Sequence, residues 1–128
     1  MGVQLVLIEP GFSTADASRP TFDYSDREYL QVIFDDWREE QVVVLFREVV
    51  AVKWQTAESL STGERDDSSY EVLNSPWLAV HREQGLIEAS SDLHHYKFNF
   101  NAVGELEVLC AGFRIEGSDK SQQRFWNK

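Results

Sequence analysis

His94-His95-Tyr96-Lys97-Phe98-Asn99-Phe100, a short turn, then Leu106-Glu107-Val108-Leu109-Cys110: these two runs decide the fold. The first alternates apolar and polar residues with a period of two, and the second does so except at Leu109, which is the signature of a strand and not of a helix. In an antiparallel pair, residues that face each other lie on one side of the sheet. Tyr96, Phe98 and Phe100 are therefore expected opposite Cys110, Val108 and Leu106. That register needs a loop of odd length. Ala102-Val103-Gly104 supplies three residues, with glycine where a left-handed conformation is needed. Beyond Cys110 the apolar parity flips to Phe113 and Ile115, which predicts a bulge at Gly112.

Working outward, residues 29–34 alternate with Leu30, Val32 and Phe34 on one face. A charged turn, Asp36-Trp37-Arg38-Glu39-Glu40, leads into residues 41–55, where Val42, Val44, Phe46, Val50, Val52 and Trp54 share a parity broken only by Glu48. Fifteen residues exceed an ordinary strand, so a bend or bulge is expected at Arg47-Glu48. Val3-Gln4-Leu5-Val6-Leu7-Ile8 reads as a first strand stopped by Pro10-Gly11, and residues 11–28 read as a polar connection. Residues 56–69 carry almost no apolar side chains and are expected to form a mobile acidic loop. One helix is signalled: Ser75 as N-cap, Pro76 at the first helical position, Gly85 just past the end, and Trp77 as the residue that packs on a sheet. The tail, residues 117–128, is polar until Phe125-Trp126, which either dock or fray. The expected class is α+β: one domain over residues 1–128, a mainly antiparallel sheet of about five or six strands, and one short helix packed on it.

Composition narrows the functions. At 128 residues with 42% apolar content the chain can bury a core without disulfides or metal. No apolar run approaches the roughly 20 residues of a membrane helix. Residues 3–8 lack the basic lead-in and cleavage site of a secretory signal. The single cysteine, Cys110, suits a reducing compartment, so a cytoplasmic location is expected. Net charge is −10, and residues 57–92 alone hold eight carboxylates against two arginines. A basic face for nucleic acid is missing before the last quarter of the chain, and an anionic membrane surface would repel it. Such a field attracts cationic partners.

Each candidate for chemistry has a plainer structural account. Asp92-Leu93-His94-His95 places an acid beside two imidazoles, but adjacent strand residues point to opposite faces, so the histidines cannot clamp one ion. His94 is expected at the core edge and His95 in solvent, with His81 the only other histidine. Asp35, Asp36, Glu39 and Glu40 could offer oxygens to a hard cation, yet no calcium-loop spacing is present. Glu48 fits a bend, and Cys110 fits a core position with no basic neighbour to activate it. No catalytic residue, metal site or cofactor is expected.

Tyr70-Glu71-Val72-Leu73-Asn74-Ser75-Pro76-Trp77-Leu78, His95-Tyr96-Lys97-Phe98-Asn99-Phe100 followed by residues 106–113, and Phe46-Arg47-Glu48-Val49 resemble small uncharacterised bacterial proteins of the immunity-protein type, found beside toxin genes. The resemblance implies tight, non-catalytic binding that blocks a toxin, and it carries no functional residue over. The expected function is thus an acidic binding module for a basic protein partner, acting through Asp35, Asp36, Glu39, Glu40, Glu64, Asp66 and Asp67. The expected state is a monomer or a sheet-edge homodimer. The alternative is an enzyme or small-ligand binder with a pocket between sheet and helix, using His81, His94 or Glu48.

Overall fold

The computed structural model describes residues 2–26, 29–57, 59–85, 92–101, 103–116 and 125. Among them lie nine strands and one helix: β1 (Gln4–Ile8), β2 (Thr21–Asp26), β3 (Tyr29–Asp35), β4 (Gln41–Arg47), β5 (Ala51–Gln55), β6 (Ser69–Leu73), α1 (Pro76–Glu83), β7 (His94–Phe100), β8 (Gly104–Cys110) and β9 (Gly112–Ile115). The expected class holds: antiparallel sheet with one short helix. The strands divide into two sheets, ordered β1-β6-β7-β8-β5 and β2-β3-β4-β9. Residues 11–28 are not only a connection, because β2 lies within them and pairs with β3.

Two sheets arise where one was expected because a ribbon of two strands crosses between them. β4 pairs with β9 in the smaller sheet, and β5 pairs with β8 in the larger. Three residues, 48–50, bridge β4 to β5, while two, 110 and 111, run between their register partners on the other strand. That one-residue excess is a bulge at a corner. Glu48 takes a φ of 51°, and the corner is tied by Val50 N–H to the Leu109 carbonyl (2.8 Å) and Ala111 N–H to the Arg47 carbonyl (3.1 Å). The bend expected at Arg47-Glu48 and the parity flip expected near Gly112 are two sides of this corner.

The inner faces close on each other. Leu30, Val32, Phe34, Val44, Phe46 and Phe113 of the smaller sheet meet Tyr96, Phe98, Phe100, Leu106, Val108 and Cys110 of the larger. Edge-to-face ring pairs stitch the layers, among them Phe34–Phe100 at 5.1 Å, Tyr96–Phe113 at 5.0 Å and Phe98–Phe113 at 5.5 Å. Phe12, from the linker after β1, wedges between Phe34 (5.8 Å) and Phe98 (5.7 Å). Phe125 stacks on Phe113 at 4.7 Å, so this ring of the tail docks; Trp126 lies outside the described residues.

The β7–β8 register is Tyr96 with Val108, Phe98 with Leu106 and Phe100 with Gly104, two residues from the expected pairing. The loop spans 101–103 instead of 102–104. Because the shift is even, every side chain keeps its face. Gly104 begins β8 because of packing: a Cβ there would lie 2.5 Å from the Gln55 carbonyl oxygen and 2.7 Å from the Trp54 ring. Gly104→Ala is therefore expected to cost about 2 kcal/mol through overpacking. Urea unfolding with a lowered midpoint and an unchanged slope checks it.

Candidate functional site

The β3–β4 tip is built on one carboxylate. Asp36 is only 4% exposed. Its Oδ1 accepts the N–H groups of Arg38 (2.9 Å) and Glu40 (3.0 Å), and its Oδ2 accepts the Arg38 guanidinium (3.0 Å). The Glu40 N–H and the Arg38 side chain hold the Asp36 carboxyl below the usual carboxylate range, against the opposing effect of burial. Asp36 is therefore an internal strut and not a free surface charge. The strut fixes a turn in which Glu39 has a φ of 65° and Trp37 stands 61% exposed, with Arg38 5.7 Å from its ring. Asp35, Glu39 and Glu40 are exposed around it, Glu40 in a 3.3 Å ion pair with Arg38.

Loop 56–69, expected to be mobile, is fastened across the outer face of the larger sheet. Strand alternation directs His95, Lys97, Asn99, Glu105 and Glu107 to that face, yet all five are buried. Lys97 Nζ meets Glu64 Oε2 at 2.7 Å, with the Glu64 side chain wholly enclosed. Asn99 donates its amide to Glu64 Oε2 and to the Arg65 carbonyl, both at 2.8 Å. The N–H and hydroxyl of Ser59 reach the Glu105 carboxylate at 2.8 and 2.9 Å. Burial pushes the Glu64 carboxyl up, but bonds from Lys97, Ser61 and Asn99 outweigh it and hold the carboxyl low. Lys97 is raised, because Glu64 overcomes desolvation. Of the loop acids named from sequence, Glu64 thus faces inward. Asp66 is exposed and Asp67 is half-buried, 3.6 Å from Arg65.

The outward acids converge. Ser18 N–H donates to the Asp35 carbonyl and Ser18 Oγ accepts the Asp35 N–H, both at 2.9 Å. Thr14 Oγ1 donates to the Asp67 carbonyl (3.2 Å), and Asp16 N–H donates to Asn101 Oδ1 (2.8 Å). The linker of residues 9–18 thereby laces the 35–40 tip, the 66–67 segment and the β7–β8 turn at one end of the sandwich. Asp16, Asp35, Glu39, Glu40, Asp66 and Asp67 share that end with Arg19, Arg38 and Arg65. A cleft of about 480 Å³ lies there among Phe12, Thr14, Arg38 and Asp67.

On the sheet's other half, Ser75 caps α1 by accepting the Leu78 N–H at 3.1 Å. Its Oγ also lies 2.7 Å from His95 Nδ1, and His95 Nε2 lies 2.6 Å from Glu107 Oε1. Trp77 covers the imidazole at 5.1 Å, and Lys53 lies 4.9 Å over Trp77. His95, expected in solvent, is 5% exposed because α1 closes over it. Burial raises the Glu107 carboxyl, while the bond from His95 and the charge of Lys53 bring it net below its usual value. Serine, imidazole and carboxylate in series resemble a nucleophile–base–orienter chain. Ser75 is only 7% exposed, however, and its oxygen is engaged as the helix cap. The arrangement clamps α1 to the sheet.

The residues of the alternative reading do not meet. His81 bonds the Trp77 carbonyl within its own helix (2.9 Å). His94 stacks on Tyr96 and bonds Glu71 (2.7 Å). Glu48 sits on the corner, its side chain 62% exposed and 2.7 Å from Arg47. Cys110 is fully buried, and burial raises its thiol pKa. Among the described residues no three His, Cys, Asp or Glu side chains converge at ligand spacing, and no helix is long and apolar enough to cross a membrane. Comparison of the chain with protein-family models, curated proteins and solved structures gave no match.

Ser75→Ala removes a cap and leaves His95 Nδ1 unpaired, so unfolding free energy is expected to fall by about 2 kcal/mol. Glu64→Gln, which removes the nearer of two carboxylates beside a buried ammonium, is expected to cost about 3 kcal/mol. Glu64 and Glu107 titrate lower folded than unfolded. Their stabilisation is complete above the ordinary value of 4.5 and is lost as pH falls through the folded values. Lys97 has the opposite sign: its share is complete below 10.5 and is lost as pH rises through its higher folded value. Denaturant midpoints measured across pH should form a plateau bounded on both sides. In a Lys97→Met/Glu64→Leu double variant both limbs should be shallower.

Proposed function

We propose that this protein is a non-catalytic binding module that takes a basic protein partner on the acidic end of its sandwich, as an immunity-type inhibitor does. The observation that carries the reading is Trp37, 61% exposed on a turn held rigid by Asp36 and ringed by Asp35, Glu39 and Glu40. Exposed tryptophan on a fixed tip is the usual anchor of a protein interface, because burying it gains much area and orders little. The surrounding carboxylates supply long-range attraction, which governs encounter more than final affinity. The inhibitor reading also agrees with a serine–imidazole pair given over to holding the helix.

The test is capture of a partner at low salt by the full chain, followed by kinetics with variants. Trp37→Ala should weaken binding by about 2 kcal/mol, roughly 30-fold, mostly in the dissociation rate, with no change in thermal midpoint. Glu39→Gln/Glu40→Gln should slow association and flatten its dependence on ionic strength. An association rate indifferent to salt would sink the electrostatic part. Where the partner is a second copy joined at a sheet edge, light scattering reads a doubled mass.

A second reading, hydrolysis at Ser75, is favoured only by the Ser75–His95–Glu107 chain. A fluorophosphonate probe decides it. No labelling is expected, since the hydroxyl is enclosed; labelling lost in Ser75→Ala would establish the enzyme instead.

A further inference from the structure

We propose that a small cavity between loop 56–69 and the β7–β8 turn is a binding site for a hard divalent cation of the calcium class. Three independent observations meet there. First, the buried cluster under the loop does not balance. Lys97 lies 2.7 Å from Glu64 and 3.6 Å from Glu105, so two enclosed carboxylates share one enclosed ammonium. Both oxygens of Glu105 receive donors, from Ser59 N–H, Ser59 Oγ and Gln55, as an ionised carboxylate does. An unmatched charge out of water is costly unless something neutralises it.

Second, Asn99 is 1% exposed and its Oδ1 has no hydrogen-bond partner. The amide cannot be turned around to satisfy that oxygen. Its nitrogen faces two acceptors, Glu64 Oε2 and the Arg65 carbonyl, so the oxygen must point away from them. Third, Asn99 and Glu105 are register partners that line a cavity of about 50 Å³, with Asp66 and Asn101 also in its wall. One water needs only about 15 Å³ on this measure, and organic ligands occupy roughly 300 Å³ or more, so the space suits an ion with a water or two.

The donor set selects the occupant. Asn99 Oδ1, the Glu105 carboxylate and the Asp66 carboxylate are oxygens without nitrogen or sulfur, the set a hard cation takes. One excess negative charge in the cluster and one on Asp66 match a divalent ion. With few protein ligands and water completing the shell, affinity should be weak, with Kd on the order of 0.1–1 mM. This site shares Asp66 with the acidic end, but it does not rest on the partner reading, which is carried by Trp37 and the 35–40 tip.

The experiment uses the full chain stripped with chelator. Terbium is titrated and read by luminescence sensitised through Trp54, whose ring packs against the cavity residue Gly104, and calcium is then used to displace it. One saturable site is expected, displaced by calcium at sub-millimolar to millimolar concentration and not by equal sodium or potassium. Asp66→Asn, at the exposed mouth, should weaken binding at least fivefold without changing the melting of the stripped protein. Asn99→Asp should melt lower when stripped and gain more from calcium than the unaltered protein does. Glu39→Gln/Glu40→Gln, outside the cavity lining, should leave binding unchanged. No sensitised signal, displacement by sodium or potassium, or an affinity that follows the tip variants and ignores Asp66→Asn would each overturn the proposal. Should Asn99→Asp fail to fold, Asp66→Asn still decides.

Discussion

Lys97 and Glu64 leave water together, and most of the architecture follows from that requirement. The β7–β8 hairpin is covered on both faces. Its inner face is aromatic and aliphatic, with Tyr96 and Cys110 its polar-tipped members, and closes on the smaller sheet. Its outer face carries His95, Lys97, Asn99, Glu105 and Glu107, so each element that covers it must bring a partner. Loop 56–69 brings Glu64, Ser59 and the Arg65 carbonyl; α1 brings Ser75; β5 brings Lys53 and Gln55. Apolar contact alone would accept several placements of a polar loop and a short helix. Directional bonds to buried charges accept far fewer.

The alternation of β3, β4, β7 and β8 was legible because each shows one face to a dry core. The helix was legible from Ser75, Pro76 and Gly85. The second sheet was not, for a definite reason. Residues 41–55 keep even parity through the corner, while their partner strand changes parity at Ala111. A single inserted residue preserves the pattern on one strand and inverts it on the other. Two local irregularities read separately do not disclose that they are hydrogen-bonded to each other. The two-residue error in the hairpin has a similar origin. Glycine was assigned to the loop on conformational grounds, but Gly104 is needed where Trp54 and the Gln55 carbonyl press on the strand.

The candidate site was legible as charge and not as position. Composition locates the acids on the 35–40 turn and the 56–69 loop, but it cannot separate Asp36 and Glu64, whose carboxylates are enclosed, from Asp35, Glu39, Glu40 and Asp66, which are exposed. In the sequence Trp37 reads only as part of a charged turn. A tryptophan flanked by Asp36 and Arg38 at a hairpin tip was the signal available. The Ser75–His95–Glu107 chain joins residues 20 and 12 apart in sequence, on the α1 cap, β7 and β8, and no local pattern marks it. Glutamates opposite Lys97 on adjacent strands read as an ordinary solvated face, because nothing in a strand's period tells which covering segment will arrive.

The crossing ribbon also governs the order in which the protein can be made. Among the described residues β5 pairs with β8 alone and β4 finds its second neighbour in β9, so both wait for residues beyond 104. A nascent chain emerging from the ribosome therefore holds β5 unpaired, with Val52 and Trp54 lacking their register partners, until β8 has emerged. Local hairpins can assemble early, but closure of the two layers is a late, long-range event of the kind that slows folding and lengthens exposure to aggregation. Truncation inside β8 or β9 would thus be felt at β5 and β4.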